Sequence, residues 1–356
     1  MGTAEKELPR IGISCGDLNG ISLEVILQTF NDTRMLELCT PVLFASAKVV
    51  SYHRKVCNLM QFHFQQIKSA KEAHSGKFNV VNLWDDEVNI QLGEIDLLVG
   101  KRAVDSLQAA LEACDKGEVQ AVVTGPIHKA ACYDEKTFPF HGHTGYLASR
   151  YQSDAIMMLM DGDFRVALFT DHIPISKVAD HIKPDVLEAF LRRLIDSMIA
   201  DFGIRKPRVA VLGLNPHAGD EGLIGNEDQE NIAPVVAKLR EENQLVFGPF
   251  AADGFFGKQQ HQQFDVVVAM YHDQGLAPFK ALSFGGGVNI SLGLPVVRTS
   301  PDHGTGFDIA GKNEANEESF RQAVFAALDT IQHRSLHKDL QSNVLKSQYK
   351  HRRGDR

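Results

Sequence analysis

Residues 264–275 read FDVVVAMYHDQG. From Val266 to Met270 the run is unbroken, apolar and rich in β-branched valine, and it is too short for an ordinary helix. A strand with one buried face alternates apolar with polar residues. A continuous run belongs to a strand covered on both faces, as in a mostly parallel sheet between helical layers. The same texture recurs outward from this stretch, in AIMMLM (155–160), RVALFT (165–170) and RVAVLGL (208–214). Nearer the start it returns in RIGIS (10–14), PVLFA (41–45), NVVNL (79–83) and VQAVVTGP (119–126). Helical segments lie between these runs. In GKRAVDSLQAALEACDKG (100–117), Val104, Leu107, Leu111 and Cys114 recur at helical spacing and Gly117 supplies the stop. Residues 21–30, 184–203, 230–243 and 317–332 read as further helices. The alternation predicts an α/β fold.

At 356 residues the chain is long enough for two lobes rather than one core. Lysine and arginine total 37 against 45 acidic residues, a net charge of −8, which argues against a sequence-independent nucleic-acid binder. A pocket can still be locally basic in an acidic protein. The five cysteines are scattered, with no CxxC pair, so reduced thiols are expected rather than disulfides or a thiolate metal site. No apolar run approaches the roughly 20 residues that span a bilayer, and MGTAEKELPR lacks the apolar core of a signal peptide. A soluble, cytoplasmic protein is the expectation, with no membrane partner. The polar, basic last dozen residues are expected to fray.

Several familiar motifs fail on inspection. Gly306 to Lys312 has P-loop spacing, but Asn313 stands where Ser or Thr must meet magnesium. No GxGxxG follows a strand, so any dinucleotide is held without the usual Rossmann turn. A GxSxG elbow is absent too.

Three histidines stand just beyond apolar strands: His172 in RVALFTDHIP, His217 in RVAVLGLNPHAGDEG, and His272 in FDVVVAMYHDQG. Ligands of open α/β sheets gather at strand exits, and three neutral imidazoles suit a divalent ion with a position left open for substrate oxygen. Each could equally be an ordinary turn residue. Asp171, Asp220 and Asp273 are either orienters of these rings or plain loop acids. Lys280, Asn289 and Arg298 follow His272 among glycines, a pattern suited to a phosphate or carboxylate.

These residues sit within MYHDQGLAPFKALSFGGGVNISLGLPVVRTSPDHGTGFDIAGKNEAN (270–316). Together with LGLNPHAGDEGLIGNED (212–228), VVTGPIHKAA (122–131), HGHTGYLA (141–148) and, more loosely, ISCGDLNGISLE (13–24), the run resembles the 4-hydroxythreonine-4-phosphate dehydrogenases of vitamin B6 synthesis. The resemblance spans roughly residues 8 to 335. It implies a two-lobed α/β/α fold like that of the isocitrate and isopropylmalate dehydrogenases, with a cleft between lobes. One lobe would comprise residues 1–130 and 300–356, the other 131–299. It implies a homodimer whose active site is shared between subunits, and a divalent metal (zinc, magnesium or cobalt) on His172, His217 and His272. His143, Thr144, Lys280, Asn289 and Arg298 would contact a small phosphorylated hydroxy amino acid. Asp302, His303, Gly304 and Thr305 would form the loop that holds NAD or NADP, and Lys280 and Asp253 are the base candidates.

Two departures from the family pattern bear on substrate. GDLNGISLE (16–24) replaces the common GDPAGIGPE, and Gly145 stands where the family usually carries glutamate. A related dehydrogenase for 4-phosphothreonate or 4-phosphoerythronate is therefore a second expectation. A metal-dependent hydrolase or lyase using the same histidines is a third.

Overall fold

The computed structural model describes residues 8–140, 142–283 and 285–342. The segment expected to fray lies outside them. Among the described residues, twelve strands form one sheet. In chain order these are β1 (Arg10–Ser14), β2 (Thr40–Ala45), β3 (Phe64–Ile67), β4 (Phe78–Asn82), β5 (Ala121–Thr124) and β6 (Ile156–Asp161). They continue as β7 (Phe164–Leu168), β8 (Val209–Leu212), β9 (Val246–Phe250), β10 (Val266–Ala269), β11 (Val288–Leu292) and β12 (Val297–Pro301). The spatial order is β3-β4-β2-β1-β5-β12-β11-β6-β7-β10-β8-β9. Pairing is parallel except at the centre, where β12–β11, β11–β6 and β6–β7 are antiparallel.

Alternate residues of each apolar run enter different cores. In β10, Val266 and Val268 pack with Leu187, Leu191 and Leu194 of the helix Pro184–Phe202. Val267 and Ala269 face the other way, onto Leu276 and Phe279 of the helix His272–Leu282. In the other half, Ile11, Ile13 and Val123 pack beneath the helices Ser22–Asn31 and Glu318–Ser342. Val42, Phe44 and Val122 meet Ala103, Leu107 and Leu111 of the helix Leu97–Asp115. That two-sided burial is the reason the runs are continuous.

The helix ends follow local chemistry. Pro184 opens its helix at a position where no amide partner is needed, and Gly203 closes it at φ 69°. Asp96 caps the Leu97 helix, its Oδ1 accepting from the Val99 amide at 3.0 Å. One expectation is corrected here. His272 does not occupy a strand-exit loop: it is the first residue of its helix, preceded by Tyr271 in extended conformation. No helix among the described residues is long and apolar enough to cross a membrane.

The Glu318 helix covers one face of β5, β12 and β11. On the opposite face, between the helices His143–Tyr151 and His272–Leu282, the antiparallel centre is left open.

Candidate active site

A cavity of about 600 Å³ fills that opening. Strand register builds its floor. Ser291 of β11 pairs with Arg298 of β12 on one side and Met157 of β6 on the other. Two residues along, Asn289 pairs with Ser300 and Leu159. Because side chains alternate between faces, these two rows point the same way. Met157, Leu159, Asn289, Arg298 and Ser300 all line the cavity.

Arg298 is the decisive residue. It is 2% exposed and sits in β12, every residue of which is buried. Its Nε and Nη2 donate to Thr124 Oγ1 at 3.2 and 2.7 Å, and its Nη1 donates to Ser291 Oγ at 3.2 Å. No carboxylate among the described residues pairs with it. Burial pushes its pKa down to about 9, because the interior solvates the charge poorly. A buried cation without an anion costs several kcal/mol, a cost that a bound anion offsets. Three further buried atoms of cavity residues have no partner among the described residues: His143 Nε2, Asn289 Oδ1 and His303 Nε2. Burial above all, then the charges of Arg298 and Lys129, holds His143 well below the usual histidine range, so its ring is neutral.

His143, Thr144 and Gly145 begin the helix His143–Tyr151, whose N-terminus has no side-chain cap. All three line the cavity. Unpaired amides at a helix start favour an anion, in keeping with the cation below. A Cβ on Gly145 would meet nothing nearer than Phe140 at 4.0 Å, so the glycine leaves space that packing does not demand.

His172 and His272 approach from the other half of the sheet, their ring centroids 5.7 Å apart. Each has one nitrogen engaged by a neighbouring carboxylate. His172 Nδ1 lies 3.2 Å from Asp171 Oδ2, and His272 Nδ1 lies 2.7 Å from Asp273 Oδ1. This orients the rings with Nε2 directed away from the carboxylates, so that its lone pair can meet a metal or a proton donor. Lys129 Nζ lies 3.5 Å from His172 Nε2. Lys129 lines the cavity and had no signal in the sequence beyond its place in a family-like motif.

His217 does not join them, and no group of three potential metal ligands comes together among the described residues. It is exposed, on a turn in which His217, Ala218, Gly219, Asp220 and Glu221 all have positive φ. Non-glycine residues resist this conformation, and something must hold it. The buried Asp228 does so. Its Oδ1 accepts from the Leu214 amide at 2.7 Å, and its Oδ2 accepts from the Asn215 amide at 3.0 Å and Asn215 Nδ2 at 2.9 Å. Asp253 is exposed on the neighbouring helix Ala252–Gly257, which packs against that turn, and it too lies outside the cavity.

The remaining expected residues divide. Asp302, His303 and Gly304 line the cavity mouth beside Lys280. Thr305 does not: its carbonyl accepts from the Ile21 amide at 2.9 Å, tying this segment to the GDLNGISLE turn. The cysteines are all free, and burial pushes the Cys15 and Cys132 thiols up to about 12, which removes them as nucleophiles.

Residues 37–327 match the model of the family described as pyridoxal phosphate biosynthetic protein PdxA. The chain is 47% identical to a 4-hydroxythreonine-4-phosphate dehydrogenase of Bacteroides thetaiotaomicron, over 99% of this chain and 96% of that one. It is 34% identical to an Oceanobacillus iheyensis protein provisionally named D-threonate 4-phosphate dehydrogenase, over 90% and 97% of the two chains. The crystal structure of a 4-hydroxythreonine-4-phosphate dehydrogenase from Burkholderia phymatum superposes with a TM-score of 0.75 at 34% identity, over 91% of this chain and 99% of that one. With a family match over most of its length and relatives at this identity, the chain belongs to the PdxA family.

Proposed function

We propose that this chain oxidises 4-phosphohydroxy-L-threonine with NAD or NADP, giving 2-amino-3-oxo-4-phosphooxybutanoate, which loses carbon dioxide to form 3-amino-2-oxopropyl phosphate. The observation that carries this reading is Arg298, a buried guanidinium with no anion of its own on the floor of a cavity sized for a small metabolite. Relatives of the same family bear the name of that activity.

In this reading Arg298, Asn289, His143 and Thr144 bind the substrate's anionic ends. Arg298 supplies charge, and the neutral His143 ring and Asn289 Oδ1 supply the hydrogen-bonding atoms now without partners. The segment that begins at Asp302 holds the cofactor at the mouth through His303, Gly304 and Thr305, Thr305 through its hold on the 16–24 turn. The two lobes of this reading, residues 1–130 with 300–356 and residues 131–299, would meet near the β12–β11 pairing.

The donor set suits a divalent ion, zinc, magnesium or cobalt. His172 and His272 would hold it through Nε2, with His217 of the partner subunit completing the set in a homodimer. Such an ion supplies Lewis-acid chemistry that acidifies the substrate hydroxyl. The exposed, strained setting of His217 supports a role outside its own chain's cavity. Lys280, which lines the cavity, is the first candidate from this chain for moving the hydroxyl proton. Asp253 of the partner subunit, on an element beside the His217 turn, is the second candidate.

The open space at Gly145, where the family resemblance leads one to expect glutamate, favours a second substrate reading: a phosphorylated acid without an ammonium group, such as 4-phosphothreonate or 4-phosphoerythronate. The test is NAD(P)H formation with the three phosphorylated acids, with and without chelator. Selective turnover of 4-phosphohydroxythreonine supports the first reading. No NAD(P)H from any of them, or no thermal stabilisation by NAD or NADP, would overturn both in favour of a hydrolase or lyase.

A further inference from the structure

Asp302 was expected to serve the cofactor. Its surroundings assign it another task. The carboxylate is 15% exposed, against 53% for Lys280, and its Oδ2 lies 3.6 Å from Lys280 Nζ. The Asp302 carbonyl accepts from the same ammonium at 3.2 Å. Behind it, the Asp302 amide donates to Ser319 Oγ at 3.2 Å and to the Gly287 carbonyl at 3.3 Å. Ser319 Oγ in turn donates to the Gly287 carbonyl at 2.6 Å and lies 3.3 Å from Asp302 Oδ1. The packing is close enough that a Cβ on Gly287 would stand 2.4 Å from Asp302 Oδ2. Asp302 is therefore fixed by the starts of β11 and the Glu318 helix, while Lys280 reaches it from the His272 helix in the other half of the sheet.

We infer that Asp302 is a positioning residue. It holds the Lys280 ammonium at the cavity wall through its carboxylate and carbonyl, and does not itself contact the nicotinamide cofactor. A lysine side chain has four rotatable bonds and no preferred direction of its own. A largely shielded acid on the opposite lip supplies the direction. The pair is half-exposed, so it adds little to stability, and its value lies in geometry. The inference rests on the reading that Lys280 takes part in turnover, and the test separates the two.

NAD(P) reduction with 4-phosphohydroxythreonine is measured for Asp302→Asn, Asp302→Glu, Lys280→Ala and the Lys280→Ala/Asp302→Asn double variant. Misplacement of an acting group predicts a fall of about tenfold to a hundredfold in kcat for Asp302→Asn. The KM for cofactor should stay within about twofold and the melting temperature near that of the parent, since the pair contributes little to stability. Asp302→Glu should recover part of kcat. The double variant should be no worse than Lys280→Ala, because residues that act as one unit are not additive. Additive losses with an impaired Lys280→Ala overturn the positioning role alone. A raised cofactor KM with kcat intact returns Asp302 to the cofactor. Full activity in Lys280→Ala overturns the reading of Lys280 itself. Should Asp302→Asn not fold, Asp302→Glu carries the same cycle.

Discussion

Two histidine-bearing regions of this molecule were built from similar sequence and ended differently. His172 and His272 follow β7 and β10, have their rings held by Asp171 and Asp273, and face the cavity over the antiparallel centre. His217 follows β8 in the same topological position, yet a left-handed turn clamped by Asp228 turns it to the surface. Near it, Leu223 and Ile224 are 83% and 42% exposed. One region faces the cavity of its own chain; the other turns its histidine to the surface. A strand exit alone does not say which site a residue serves.

The largest expected effect tests that contrast directly. His217→Ala and His172→Ala should each cut kcat about a thousandfold, the scale of several kcal/mol of lost Lewis-acid stabilisation. Mixed subunits of the two variants should regain activity, because one site of each heterodimer then carries both parental histidines. Activity that stays lost on mixing after subunit exchange would place His217 in its own chain's site and break the comparison.

Next, Arg298→Met should lower kcat/KM about a hundredfold or more, from the 2–5 kcal/mol typical of a truncated buried charge pair. The loss should shrink for substrates lacking phosphate or carboxylate. An unchanged KM and kcat would remove Arg298 as the anion site. Gly145→Glu is smaller: by filling the open space with a carboxylate it should shift the preference for ammonium-bearing over hydroxy substrates about tenfold. Competition assays with paired substrates read that ratio.

The smallest effect concerns His143. Its folded pKa lies below its unfolded value, so below pH 6.5 the unfolded chain takes up the extra proton. Stability is therefore complete above the unfolded pKa and falls as pH drops below it, by at most about 1.4 kcal/mol per pH unit for one group. His143→Gln should flatten that slope in melting temperature against pH. An identical slope in the variant would mean that His143 is not desolvated in the pocket.

Much of the fold was legible because two-sided burial leaves an unbroken apolar run, as in 266–270 or 11–14, and because Pro184, Gly203 and Gly117 punctuate helices at their own positions. Four strands were not. The chain in β3 reads FQQI, a polar edge, and β9 contains Gly248 and Pro249, which an edge strand tolerates but a propensity reading marks as a turn. The other two, β11 and β12, carry Asn289 and Arg298 and read as a glycine-flanked binding loop when burial is unknown.

The sequence by itself determined the α/β class, the two-sided strands, and the residue types of an anion site with histidines beside it. Each of these depends on composition and on spacing within a few residues. Only the tertiary structure decided that Asn289 and Arg298 share one face, since the antiparallel register of β11 with β6 and β12 sets that. It likewise decided that Arg298 has no anion partner among the described residues, that Asp302 faces Lys280, and that His217 points away. These outcomes depend on which distant segments meet and on what a low-dielectric interior leaves unpaired, and no local pattern encodes either.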